Sequence, residues 1–137
     1  MSADSAREVW LTMSDLVLDN TRRREVTEAL GMSFGRARAI RRLAREPLSM
    51  REFAATMGIE APNATVVVDD LEAAGLVRRM PHPTDRRAKL VEATPKGKAL
   101  ARQANEILAT PPPGLSALAD EELETLRALL ARVSAPD

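Results

Sequence analysis

Between positions 76 and 98 the chain carries seven basic residues, Arg78, Arg79, Arg86, Arg87, Lys89, Lys96 and Lys98, against two acids. Guanidinium and ammonium groups at that density make a local surface suited to phosphate. The bias extends further. Residues 33–102 hold 14 Lys/Arg and 8 Asp/Glu, whereas the two ends together hold 6 and 12, so the formal net charge of +0 is a cancellation between a basic centre and acidic flanks. Covalent and metal chemistry have little to work with. One histidine, His82, and no cysteine rule out a thiolate zinc site, a disulfide or a thiol switch, and no nucleophile with its base or phosphate-cradling glycine loop can be assembled. Catalysis, a bound metal and a cofactor are therefore not expected.

The basic stretch must be held by the elements around it. SMREFAATMG, residues 49–58, reads as a short helix with Ser49 as N-cap, Glu52 three residues on and Gly58 at the close. A second helix follows almost at once in IEAPNATVVVDDLEAAG, where Pro62 suits a first turn, Ala64, Val67, Val68, Leu71 and Ala74 recur at helical spacing, and Gly75 is a stop. Then the period changes. LVRRM and KLVEA alternate loosely and are separated by PHPTDRRA, whose two prolines exclude a sheet interior. Two tightly joined helices, a strand, a charged tip and a return strand outline a winged helix-turn-helix.

The flanks read as helices. With 137 residues, 45% of them apolar, and Trp10, Phe34 and Phe53 as its aromatics, the chain suits one mainly α domain with a small β-wing. A helix from Ser5 to about Thr27 places Ala6, Val9, Trp10, Met13, Leu16 and Val17 on one stripe, widened by Leu11 and Leu18. Its apolar width exceeds what one partner explains, so part of it is expected to pack on a second subunit, with Arg22, Arg23 and Arg24 near its C-terminus. Ser33 caps a further helix, SFGRARAIRRLARE, with Phe34, Ala37, Ile40, Leu43 and Ala44 on one face and five arginines on the others, which either solubilise it or approach a phosphate backbone. Thr94 and Pro95 start another helix, TPPPG at 110–114 makes a corner, and DEELETLRALLARV ends the chain with Leu123, Leu126, Leu129, Leu130 and Val133 as an apolar stripe. MSADSAREVW lacks the pattern of a signal peptide, and no run approaches the ~18 apolar residues of a membrane span, so a cytoplasmic protein without membrane contact is expected.

This order of elements, with LEAAGLVRR followed at fixed distance by DRRAKLVEATPKG, resembles the MarR family of bacterial transcriptional regulators over nearly the whole chain. The resemblance implies a single MarR-type domain over 1–137, with residues 1–32 and 95–137 mainly dimerisation helices and 33–94 the DNA-binding lobe. It implies a homodimer on the successive major grooves of a palindromic double-stranded operator, commonly a repressor released by a small molecule. Asp85 and Arg87 occupy the family's wing-tip pair, in which the acid orients an arginine entering the minor groove; a surface ion pair is the plainer reading. Arg86 is then a phosphate contact. On the recognition helix Asn63, Thr65 and Val66 are the base readers, through adenine, hydroxyl or methyl contacts, and thymine methyl, although Asn63 and Thr65 also suit helix-start capping. That helix lacks the Arg, Lys or Gln common in relatives and carries Asp69 and Asp70, which keeps a winged-helix protein–protein module as the alternative. A small aromatic acid is expected against Trp10, Met13, Phe34 and Arg38, residues that core packing also suits.

Overall fold

In the computed structural model, which describes residues 2–18 and 21–135, the elements follow the order α1 (Ser2–Leu18), α2 (Arg22–Leu30), α3 (Phe34–Arg45), β1 (Leu48–Ser49), α4 (Met50–Met57), α5 (Ala61–Ala73), β2 (Val77–Pro81), β3 (Lys89–Ala93), α6 (Pro95–Ala109), α7 (Pro113–Ser116) and α8 (Asp120–Ser134). Helices, a small antiparallel wing and a helix-turn-helix are thus arranged as the sequence pattern implies. Local chemistry explains the boundaries. The Ser49 hydroxyl accepts the Glu52 N–H at 3.1 Å and the Glu52 carboxylate accepts the Ser49 N–H at 3.1 Å, a complete capping box. At the other end of α4, Gly58 takes φ 68°, a conformation that favours glycine, and the N–H of Ile59 reaches the Ala54 carbonyl at 3.0 Å. The chain reverses there and α5 begins with Ala61 and Pro62.

The capping box carries a pH signature. Hydrogen bonding, first from the Ser49 backbone and then from its hydroxyl, lowers the Glu52 carboxyl from its ordinary 4.5. A carboxyl lowered on folding contributes stability that is present above its unfolded value and lost as pH falls through the folded one. Glu52→Gln is therefore expected to flatten the fall in stability below pH 4.5 while leaving the neutral side parallel, read by urea unfolding on both sides of 4.5.

Two differences from the sequence reading have physical causes. The sheet has three strands in the order β1–β3–β2, because Leu48 and Ser49 pair with Val91 and Leu90 and close the inner edge of the wing. A strand of two residues leaves no alternation to read. The expected helix from Ser5 to Thr27 is instead two, α1 and α2, with two intervening positions outside the described residues. Arg22, Arg23 and Arg24 consequently open a helix, where the dipole disfavours cations. Arg22 offsets that by donating to the carbonyls of Thr110 and Pro111 at 3.0 and 3.2 Å and to Glu25 at 3.3 Å, tying α2 to the proline corner after α6.

The main core joins α3, α4, α5 and the sheet through Ile40, Leu43, Phe53, Val68, Leu71 and Val91, all essentially inaccessible. A second, smaller cluster of Val26, Ala37 and Ala104 holds α2, α3 and α6 together, the two alanines allowing close helix approach. The LEAAG and TPKG stretches interlock. Thr94 Oγ1 donates to the Gly75 carbonyl at 2.7 Å and accepts the Gly97 N–H at 3.1 Å, the Thr94 N–H donates to Leu76 O at 3.0 Å, and Lys96 Nζ caps Ala74 O at 3.2 Å. The end of the recognition helix is thereby locked to the start of α6. By contrast, among the described residues α1 and α8 have none that is fully buried: Trp10 is 64% exposed, Leu18 78% and Val133 72%. Neither these nor any other described helix is long and apolar enough to cross a membrane.

Candidate nucleic-acid interface

Helix α5 divides its residues sharply between core and surface. Ala64, Val68 and Leu71 are buried, while Asn63, Thr65 and Val66 are exposed on its first turns. The Thr65 hydroxyl donates back to the Ala61 carbonyl at 3.1 Å, leaving its methyl and oxygen lone pairs for a partner. Asn63 makes no side-chain hydrogen bond among the described residues, so its amide is not used as a cap. Val66, 54% exposed, presents a methyl surface beside them.

The acids that make this helix unlike a nucleic-acid binder are paired with arginines of neighbouring elements. Arg79 on β2 reaches Asp69 and Glu72, each at 2.7 Å, and Arg36 on α3 pairs with Asp70. Such part-exposed bridges contribute only ~0–1 kcal/mol each, yet the two arginines offset two of the three negative charges. Arg78 pairs with Glu92, its register partner across the wing. Several of the basic residues counted in the sequence are therefore structural, and the charge open to a ligand lies elsewhere.

It lies at the wing tip. His82 Nδ1 accepts the backbone N–H groups of Thr84 and Asp85 at 3.2 and 3.1 Å, which requires that nitrogen to be unprotonated. Asp85 Oδ1 in turn accepts the Arg87 N–H at 2.9 Å, and its carbonyl accepts the Ala88 N–H at 3.2 Å. The carboxylate thus holds the backbone of Arg87 rather than its guanidinium. The expected Asp85–Arg87 relation is present in a different form: the acid shapes the turn, and the side chains of Arg86 and Arg87 project, exposed, without an ion-pair partner among the described residues. Between this tip and the start of α4 lies a cleft of about 410 Å³ bordered by Ser49, Arg51, His82, Asp85, Arg87 and Lys89. Arg51 and His82 were not legible as site residues. An arginine on an exposed helical face has no distinguishing pattern, and a lone histidine gives no sign that its ring nitrogen closes a turn.

The residues nominated for an aromatic ligand lie on different parts of the fold. Trp10 and Met13 are on α1, exposed and half-buried respectively. Phe34 packs half-buried on the Val26–Ala37–Ala104 cluster under the Arg23 guanidinium, 4.4 Å from its ring centroid. Arg38 is exposed and borders a cleft with other arginines of α3.

A helix-turn-helix with an exposed polar and methyl face, followed by a wing with two projecting arginines, defines a winged-helix DNA-binding protein. Residues 30–88 match the MarR family. The fold is also shared with the transcriptional regulator BldR from Sulfolobus solfataricus (TM-score 0.68, 29% identity, covering 96% of this chain and 99% of that one) and with a MarR-family transcriptional regulator from Rhodococcus sp. RHA1 (0.65, 27%, 98% and 96%). NadR in complex with 4-hydroxyphenylacetate is similar as well (0.64, 25%, 99% and 92%). The chain thus matches the MarR family over its central winged lobe and shares the whole fold of these regulators, and it is a DNA-binding transcriptional regulator.

Proposed function

We propose that two copies of this chain bind a palindromic double-stranded operator as a homodimer and repress transcription until a small aromatic acid releases them. In this reading residues 33–94 form the DNA lobe and the two chain ends form the dimer. The observation that carries the DNA part is the outward face of Asn63, Thr65 and Val66 on a helix whose three acids, Asp69, Asp70 and Glu72, are all paired with Arg79 and Arg36, which offset two of the three charges. With its acids paired, that helix favours a protein–protein module less than its sequence does. Asn63, Thr65 and Val66 meet base edges in the major groove, Arg87 enters the minor groove, and Arg86 and Arg51 meet phosphates. Retention of specific genomic fragments by the purified protein tests this, and recovery of random sequence opposes it.

The dimer part is supported by the apolar faces of α1 and α8, on which Val9, Trp10, Leu16, Leu129, Leu130 and Val133 stay exposed among the described residues. Sedimentation is expected to give a dimer at micromolar concentration, and Trp10→Glu combined with Leu130→Glu is expected to give a folded monomer. A wild-type monomer contradicts the arrangement.

For the ligand, Trp10, Met13, Phe34 and Arg38 remain one seat. A second is a cleft of about 330 Å³ with Leu30, Met32, Leu71 and Leu100 as walls and Arg36 and Lys96 as cations. A carboxylate entering there competes with Asp70 for Arg36, and Asp70 belongs to the recognition helix. Ligand and DNA would then weaken each other's binding by one factor. Titration of 4-hydroxyphenylacetate and salicylate against free protein and operator complex measures it; equal affinities reject the compound as an inducer, and Arg36→Ala against Arg38→Ala separates the two seats.

A further inference from the structure

Arg38, Arg41, Arg42 and Arg45 stand at i, i+3, i+4 and i+7 on α3, so all four side chains leave one face of the helix. Together with Thr56 and Met57 of α4 and Asn105 of α6 they border a cleft of about 210 Å³. Like charges at these spacings repel, and the arrangement is sparsely compensated. Arg42 has Glu46 at 2.9 Å, and Arg41 Nε donates to the neutral Asn105 Oδ1 at 2.6 Å. Arg38 and Arg45 have no ion-pair partner among the described residues. Moreover Arg42 Nη1 is buried without a hydrogen-bond acceptor, a condition that disfavours the folded state unless something meets it.

We propose that this arginine cleft binds a phosphate group, free or carried by a small metabolite. Four guanidiniums against one carboxylate call for a multiply charged anion, and the planar fork of arginine matches phosphate oxygens in pairs. Arg38, Arg41 and Arg45 close on the oxygens from the rim, Arg42 turns its Nη1 towards them, and the Thr56 hydroxyl and Asn105 amide serve the remaining positions. A seat with a buried donor suits a small anion that can enter it better than a DNA strand, whose phosphates are met by accessible side chains. The site is separate from the 330 Å³ cleft on the other side of α3, where apolar walls dominate.

The test is thermal unfolding of the full chain in inorganic phosphate and in glycerol phosphate, against chloride at matched ionic strength, for the wild type and for the Arg42→Gln and Arg38→Gln/Arg45→Gln variants. The expected result is a saturable rise in Tm, roughly 3–6 °C at ten times the dissociation constant, that is lost in both variants. The paired variant replaces exposed side chains and leaves the core intact, so it remains informative if Arg42→Gln folds poorly. A rise equal to that in chloride, or one retained by the paired variant, overturns the proposal. So does an unchanged Tm together with a reduced salt dependence of DNA binding in the paired variant, which would make the cluster a DNA-backbone contact.

Discussion

Replacing Arg86 and Arg87 together by alanine removes four guanidiniums per dimer and is expected to lower DNA affinity roughly 4,000-fold at 0.1 M salt and to reduce the slope of log K against log salt by about 3.6. The magnitude follows from counterion release, in which each lost cation–phosphate or groove contact removes ~0.9 from the slope. Neither guanidinium has an ion-pair partner among the described residues, so no internal bridge is broken and stability should be unaffected. Asp85→Ala separates charge from shape. It makes the wing more positive, which by charge alone would strengthen binding, but it removes the 2.9 Å acceptor that fixes the Arg87 backbone. Affinity is expected to fall with the salt slope unchanged. Asn63→Ala is different again: it should cost about 1–3 kcal/mol of discrimination at one base pair and little on unrelated duplexes. Salt-dependent titrations with matched and mismatched duplexes measure all three, and equal losses across every duplex would refute the division between base readers and wing.

Gly97→Ala is expected to be the most damaging single change to the fold. A Cβ there would stand 2.0 Å from the Leu76 carbonyl oxygen and 2.9 Å from Ile40 Cδ1, so the rigid backbone between α5 and β2 would have to move away from α6. That displacement also disturbs the bonds from Thr94 to Gly75 and Gly97. Overpacking of this kind costs about 3 kcal/mol or more, and in a domain of this size Tm should fall by about 10 °C. Gly114→Ala is the control, because nothing lies within 4 Å of where its Cβ would stand. Similar melting of the two variants would show that the α5–α6 junction is looser than its geometry states.

What could be read in the sequence was chemistry confined to one turn of chain. Ser49 with Glu52, Gly58, and Thr94 with Pro95 each specify a helix end through neighbours within about four residues, and all of them hold. The β2–β3 wing was legible for the same reason, since its prolines and charged tip interrupt two aliphatic runs. Features set by distant partners were not. The split between α1 and α2 goes with Arg22 reaching Thr110 and Pro111, and no local signal announces a bond across 88 positions. Likewise Asp69 and Asp70 looked hostile to DNA because their partners, Arg79 and Arg36, come from other elements. The Asp85–Arg87 relation was found through the family motif, whereas the hydrogen bond that realises it, and the His82 ring behind it, became visible only with the turn itself.

The central claim, a dimeric operator binder reading DNA with α5 and the wing, is tested most directly by footprinting and stoichiometry on the genomic fragment the purified protein retains best. The expected result is two chains per duplex, protection in two blocks whose centres lie about 34–36 Å apart, and affinity at least ~10³ above that for unrelated DNA. One chain per duplex, a single protected block, or equal affinity for any sequence would contradict it.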